Sequence, residues 1–485
     1  MFRTKGNSQE TLVCLLFGWQ SCARIIMLTA CGVAGTFTTT AAQEGGDLVK
    51  QLIGNAVGDV GPQYKDVEDA ITRFRYRDFD GALDLLKTAK QKNPQLAPAS
   101  VMMAQLYVAA KDTNAAREAL ERAVTESPKD PEAYVLFGES ALQQRRLAEA
   151  ELLFAKSLSL LDGFSENPKR KKDLATRASI GASAVAASRD NWSGALAALE
   201  KAVAVDPQSV NAHTRIARAQ FELGAKNKDD ELIKKAYSEL QEVYKLDSSQ
   251  PRPEINMALL YQQHPEVNGA DQLAQNLMSK AAERDANSET TQMQVAQWAL
   301  ENGNVALAKQ CLDAAKKINA SSFQVNLLDG LVARFEKNLG VAEVAFERAH
   351  LLQPSNAVVT NQLSIVLVEQ EDEAKRRKAL EYSQQNARLF TDMTQPVARE
   401  AAITFAWVLF RLGQVGESER LIQQALAAGN VTPDSAYFAA RILEQRGRTD
   451  EAARLIKTTL DGKAAFPYRQ EATEMLSRLG SAAGG

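Results

Sequence analysis

The chain has few of the residue types that build disulfide-linked or metal-bound proteins. It contains 4 Cys among 485 residues, and Cys311 is the only one beyond residue 31. A disulfide framework or a Cys-based zinc site in the body is therefore excluded. The chain has 3 His, which are His213, His264 and His350, and they lie far apart in the sequence. We predict neither a metal site nor a cofactor site.

Other scarcities narrow the class of protein further. With 14 Pro and 27 Gly, the chain is not collagenous or of low complexity. Aromatic residues make up 6% while Ala is abundant, which indicates closely packed helices. The 57 basic and 60 acidic residues give a net charge of −3. No global positive charge attracts nucleic acid, so we expect no nucleic-acid partner.

Residues 1–42 have the features of a secretory signal peptide. Arg24 precedes an apolar run at 25–37, and Thr-Ala-Ala at 40–42 suits cleavage before Gln43. The run is shorter than the roughly 20 residues of a membrane span. We therefore predict an exported protein, periplasmic or otherwise extracytoplasmic.

Lipoprotein processing is the alternative to cleavage before Gln43. Leu-Thr-Ala-Cys at 28–31 resembles a bacterial lipobox, in which the Cys is lipidated after cleavage. The protein would then be lipid-anchored through Cys31. Membrane contact is expected only through an uncleaved or lipidated N-terminus.

Residues 43–62 are Gly-rich and weakly patterned, which indicates a linker. No strand pattern precedes these glycines and no Gly-Lys-Ser/Thr follows them, so we do not expect a phosphate-binding loop.

The body of the chain repeats with a period of about 34 residues, which is typical of arrays of helix pairs. Each unit has a small residue, nearly always Ala, at one fixed position, which we call the marker. In most units a large apolar residue follows the marker four positions later. Half of the intervals between successive markers are identical, and the others are somewhat longer, as loop insertions would make them. The markers are Ala82, Ala116, Ala150, Ala195, Ala236, Ala274, Ala308, Ala342, Ala379, Ser418 and Ala452.

Each unit is predicted to be a helix, a turn and a second helix. The marker Ala allows the two helices to approach closely, and the large residue one turn later fills the groove between them. Pro ends the second helix in several units, because it lacks an N–H and its ring clashes with the preceding turn. A Gly five residues before the marker suits a tight turn, at Gly303, Gly413 and Gly447.

This pattern resembles the tetratricopeptide repeat family over residues 63–466. The resemblance implies an all-α fold, a right-handed superhelix (α-solenoid) of about 11 helix–turn–helix repeats of about 34 residues. Residues 467–485 are predicted to form a C-terminal capping helix and a flexible tail. The repeats leave no stretch long enough for a catalytic domain, and the body contains no Gly-x-Ser-x-Gly elbow. We therefore predict that the protein is not an enzyme.

A basic run, Lys-Arg-Lys-Lys at 169–172, follows Pro168 in the longest insertion. Because no aromatic residues alternate with these charges, we interpret the run as a solvated loop and helix start.

The resemblance also implies a binding groove. In the family, first-helix side chains at fixed positions line the inner face. In the early repeats these positions hold Val67, Ile71, Val101, Gln105, Val135 and Glu139, and in the middle repeats Arg177, Ile180, Asn211, Arg218 and Asn256. We predict that a protein or peptide segment binds in the last four repeats, with Trp407 as the main anchor. The competing interpretation is that Trp407 packs between helices and only supports the fold. The predicted groove residues are Leu327, Leu331, Ile365, Ile403, Trp407, Phe410, Tyr437 and Arg441.

The sequence therefore predicts an exported scaffold that binds proteins or peptides, with a role in envelope assembly or export suggested by the resemblance alone. The alternative is a structural, self-assembling repeat protein without a peptide ligand. The sequence does not determine the oligomeric state.

Overall fold

The computed structural model of the protein describes residues 64–462 and 464–482. The predictions for residues 1–42 and 43–62 lie outside the described residues, and so does the end of the tail from residue 483. The described chain contains 23 helices and no strand. It forms two compact units, which we call the N-terminal unit (described residues up to 274) and the C-terminal unit (described residues from 275).

The N-terminal unit consists of consecutive helices that pack in pairs. The helices are α1 Lys65–Arg75, α2 Phe79–Lys92, α3 Ala99–Ala109, α4 Thr113–Glu126, α5 Pro131–Gln143, α6 Leu147–Leu161, α7 Pro168–Ser188, α8 Trp192–Val205, α9 Val210–Asn227, α10 Asp230–Leu246 and α11 Pro253–Gln263. Helix α12, Ala270–Arg284, contains the division between the units.

The C-terminal unit continues the same arrangement. Its helices are α13 Glu289–Glu301, α14 Val305–Asn319, α15 Phe323–Phe335, α16 Leu339–Leu352, α17 Ala357–Val368, α18 Glu373–Leu389, α19 Pro396–Arg411, α20 Val415–Ala428, α21 Pro433–Gln445, α22 Thr449–Asp461 and α23 Arg469–Ala482. Helix α23 packs on α22. The predicted all-α solenoid, with 11 helix pairs and a capping helix, is confirmed.

The repeat markers lie where close packing requires a small side chain. All eleven fall on second helices, from Ala82 on α2 to Ala452 on α22, and none is more than 5% exposed. Helices α2 and α4 end two residues before Pro94 and Pro128, as the ring of a following Pro requires.

A large aromatic residue fills the space beside the marker in two repeats. Phe154 is fully buried, and a Cβ added at Gly181 or Gly138 would come within 2.3 Å or 2.8 Å of its ring. Phe346 occupies the same place beside Gly330, where an added Cβ would meet the ring at 2.4 Å. Glycines on the first helices therefore make room for the rings of the second helices.

The turn inside ten of the eleven pairs contains one residue in the left-handed backbone region. At Gly303, Gly413 and Gly447 this residue is the predicted glycine, with φ of 76°, 83° and 72°. At the same place, the N-terminal unit has Lys111 with φ 60°. The next residue often caps the second helix, as Asp112 does by accepting the backbone N–H of Ala115 at 3.1 Å.

None of the described helices combines the length and apolar character needed to cross a membrane.

Candidate binding faces

In both units, some first helices of successive repeats pack side by side, and we call the surface that the first helices present the first-helix face. In the N-terminal unit, α5 packs against α7. In the C-terminal unit, α17 packs against α19, and α19 against α21. The predicted groove residues all lie on the first helices α15, α17, α19 and α21.

Most of the predicted groove residues are core residues. Five of the eight are at most 4% exposed, which are Leu327, Ile365, Ile403, Trp407 and Tyr437. Leu331 and Phe410 are half-buried against the same core. Only Arg441 is substantially accessible, with 41% of its side chain exposed.

The contacts of Trp407 explain why its side chain is buried. Its indole stacks on Phe438 at 4.5 Å and on Phe410 at 5.3 Å between ring centroids. Its Nε1 donates to the Glu369 carboxylate at 2.8 Å, and Arg411 pairs with the same carboxylate. The polar tip of the indole is thus satisfied inside the protein. The structure favours the interpretation that Trp407 packs between helices, and Trp407 presents only 3% of its surface.

The chain itself covers part of this face. After α22 it runs back across the C-terminal unit, and we call residues 464–471 the returning segment. The Ala465 N–H donates to the Glu301 carbonyl at 3.1 Å. The Tyr468 ring stacks on the predicted groove residue Tyr437, with centroids 5.0 Å apart and planes 10° apart. Burial raises the pKa of Tyr468 above its ordinary value.

The first-helix face of the N-terminal unit is polar and paired. Arg177 on α7 donates to both carboxylate oxygens of Glu139 on α5, at 3.0 and 2.7 Å. Arg177 also contacts Asp173 at 3.4 Å. The side chains of Arg177, Asp173 and Glu139 are 25%, 31% and 38% exposed, so a ligand can reach all three.

A buried ion pair lies beside this array and was missed from the sequence. Arg170, from the basic run 169–172, is 1% exposed rather than solvated. It donates to Glu132 at 2.6 Å and to Asp130 at 2.6 and 2.7 Å. Gln105 on α3 donates to the other oxygen of Glu132 at 2.8 Å. Arg170 lies 40 positions after Asp130 in the sequence, so no local spacing could have revealed the pair.

The structure also describes the remaining nucleophile and metal candidates. Burial raises the pKa of the Cys311 thiol to about 11, so it stays protonated at neutral pH. His213 pairs with Glu239 at 2.8 Å, and His264 contacts Glu222 at 3.3 Å. Within the described ranges, no three His, Cys, Asp or Glu side chains are grouped as a metal site would need.

Comparison with known proteins identifies the repeats. Tetratricopeptide repeat profiles match residues 74–124, 101–167 and 403–468, and these spans fall in both units. A sequence search of curated proteins returns no match.

Three solved structures are similar to the chain. Yeast Tom70 shares 14% identity, covering 87% of this chain and 96% of its own, with a TM-score of 0.37. MamA shares 18% identity, covering 37% and 95%, with a TM-score of 0.28. A tetratricopeptide repeat protein from Parabacteroides merdae shares 12% identity, covering 63% and 98%, with a TM-score of 0.35.

Such repeats indicate a protein–protein interaction scaffold. The profile matches agree with the eleven helix pairs, the buried small residue of each second helix and the left-handed turn inside the pairs. The chain is a tetratricopeptide repeat protein.

Proposed function

We propose that this protein is an exported scaffold that binds a segment of another protein on the first-helix face of its N-terminal unit. The observation that supports this most is the accessible array of Arg177, Glu139 and Asp173. The Arg177 guanidinium makes a bidentate contact with the Glu139 carboxylate, and it can exchange that carboxylate for one from a partner. The released Glu139 carboxylate can then accept a hydrogen bond from a donor of the partner. Charged groups of this kind set the register of a bound segment.

The decisive experiment places a photo-crosslinking residue at Ala184 in the full-length protein within its native cells. Ala184 is half-buried and lies on α7 seven positions after Arg177, on the same face of the helix, so the substitution leaves the charged array intact. Arg117 is the control, because it is exposed, pairs with Glu121 and lies on the second helix α4. We expect a discrete protein adduct from position 184 and none from position 117. The same adducts at both positions, or no adduct at 184, would contradict the proposal.

A variant series then tests the chemistry. Arg177→Gln should reduce partner capture at least tenfold, whereas Arg117→Gln should leave it unchanged. Both variants should keep the helical signal, because the pairs they remove are partly exposed and contribute only about 0.2–1 kcal/mol.

The export part of the proposal is tested at the N-terminus. The apolar run behind Arg24 leads us to expect a mature chain that begins at or near Gln43. A start at lipidated Cys31 would replace this with the anchored form, and recovery of the chain with Met1 from the cytosol would contradict export. Envelope assembly or export is the process we propose for such a scaffold.

Self-assembly is the second candidate, favoured by exposed leucines at the ends of two second helices. Leu351 at the end of α16 is 79% exposed, and Leu389 at the end of α18 is 64% exposed. Light scattering separates the two candidates. Concentration-dependent assembly that Leu351→Glu abolishes would support self-assembly, and a monomer at all concentrations would contradict it.

A further inference from the structure

The returning segment lies against three repeats of the C-terminal unit. Ala465 contacts α13 through the Glu301 carbonyl, and Tyr468 contacts α21 through Tyr437. Glu471 pairs with Lys337, which lies two residues after the end of α15, at 2.5 Å. A peptide bound to a first-helix face would make contacts of this kind, but here the peptide belongs to the same chain.

Tyr468 lies in a site built for an aromatic ring. Tyr437 stacks on one face, and Phe438 meets the ring edge-on at 5.3 Å. The Lys337 Nζ lies 4.5 Å from the ring centroid, and the Arg334 guanidinium lies 5.6 Å from it. Aromatic faces attract cations, and the attraction strengthens where water is excluded. Arg334 is 3% exposed and is fixed by Asp434 at 2.8 Å.

Lys337 makes the site selective for a carboxylate as well as for an aromatic ring. It contacts the ring of Tyr468 and the carboxylate of Glu471 at once. A ligand must therefore offer an aromatic residue just before a helix and, three positions later in its first turn, an acid. The site recognises this combination rather than apolar surface in general.

The closed arrangement leaves polar groups unsatisfied. Within the described part of the chain, the buried atoms Asp434 Oδ1 and Glu471 Oε2 have no hydrogen-bond partner. Buried acceptors without donors destabilise the state that contains them. This lowers the free energy needed to replace the returning segment with a ligand that brings its own donors.

We propose that residues 464–471 are an intramolecular occupant of a second binding groove, and that its partner is a protein segment carrying an aromatic residue followed three positions later by an acidic one. The inference rests on the proposed function, which is the binding of protein segments to first-helix faces. The partner competes with Tyr468 and Glu471 for Tyr437, Arg334 and Lys337. Binding therefore requires the returning segment to leave the groove while the repeats stay folded.

Hydrogen exchange on the wild-type full-length protein tests the opening step without any variant. We expect amides of residues 466–480 to exchange at least tenfold faster than the slowest amides of α21, because the segment opens locally. Equal rates would mean that the segment leaves only when the unit unfolds, and this would overturn the proposal.

A labelled synthetic peptide of residues 464–482 tests the recognition step. It should bind full-length Tyr468→Ala at least tenfold more tightly than wild type, because the competing ring is gone. A peptide carrying Glu471→Lys should lose at least tenfold in affinity for Tyr468→Ala. Adding Lys337→Glu to the protein should restore most of this loss. Equal binding to variant and wild type, or no effect of the charge exchange, would overturn the proposal.

The two proposals fail separately. If the peptide tests fail while position 184 still yields its adduct, the second groove is refuted and the scaffold function stands. If the adduct is also lost, the scaffold function is refuted as well.

Discussion

The two units carry the same repeat but use its first-helix face differently. In the N-terminal unit the face holds charged side chains that pair across α5 and α7 and remain accessible, as Arg177 and Glu139 show. In the C-terminal unit the equivalent region holds Trp407 and Tyr437, which are buried, and part of it is covered by the returning segment. The position of a residue in the repeat thus determines the direction of its side chain. The segments of the same chain that pack around that side chain determine whether it is exposed or buried.

The largest expected effect distinguishes core from surface on this face. Trp407→Ala should destabilise the protein by about 3–5 kcal/mol, because it removes a buried indole that stacks on Phe438 and on Phe410. Arg177→Ala on the face of the N-terminal unit should cost no more than about 1 kcal/mol. Urea unfolding of both variants measures the difference. An unchanged midpoint for Trp407→Ala would return this residue to the list of binding anchors.

An effect of similar size is expected at the buried ion pair beside the accessible array of the N-terminal unit. Arg170→Ala leaves the buried carboxylates of Asp130 and Glu132 without their cation, at a cost of about 3–5 kcal/mol. Lys169→Ala is the matched control one residue away, on an exposed position, and should change stability by less than about 0.5 kcal/mol. Equal losses of stability in the two variants would show that the buried pair has no special weight.

A smaller, pH-dependent effect is expected where the returning segment crosses α13. Burial raises the pKa of the Glu301 carboxyl from 4.5 to about 7. Because the folded chain holds this proton more tightly than the unfolded chain, stability is full below about pH 4.5 and falls as the pH rises through about 7. Above that, the buried charge should cost about 1–3 kcal/mol, after allowance for partial exposure.

Glu301→Gln tests this cost, because the amide cannot ionise. The variant should be more stable than wild type by about 1–3 kcal/mol at pH 8 and nearly equal to it at pH 4, as measured by urea unfolding. Glu373→Gln, whose wild-type side chain is 87% exposed, serves as the control and should show no such gain. A pH-independent difference for Glu301→Gln would indicate that repacking, rather than charge, is responsible.

The sequence predicted the features that depend on neighbours within about one repeat. The small markers, the helix-ending prolines and the turn glycines all act between residues of one pair, so periodicity reveals them. Arg170 with Asp130, and Arg334 with Asp434, join residues 40 and 100 positions apart. Such pairs depend on the rotation from each repeat to the next within a unit, and periodicity does not give that rotation. For this reason the burial of Trp407 and the position of Tyr468 could not be predicted.

The smallest expected effect compares the turns of the two units. In the C-terminal unit Gly413 has φ 83°, and a Cβ there would meet nothing within 4 Å, so only the backbone angle opposes another residue. Gly413→Ala should therefore cost about 1 kcal/mol.

In the N-terminal unit Lys111 holds the same left-handed conformation with a side chain, at φ 60°. Lys111→Gly should relieve this and stabilise the protein by about 0.5 kcal/mol, since the added freedom of Gly in the unfolded chain offsets part of the gain. The adjacent Ala110, with φ −77°, is the control, because Ala110→Gly brings only the entropic loss and should destabilise by about 0.5–1 kcal/mol. Urea midpoints that move in the same direction for Lys111→Gly and Ala110→Gly would show that the backbone angle at residue 111 carries no strain.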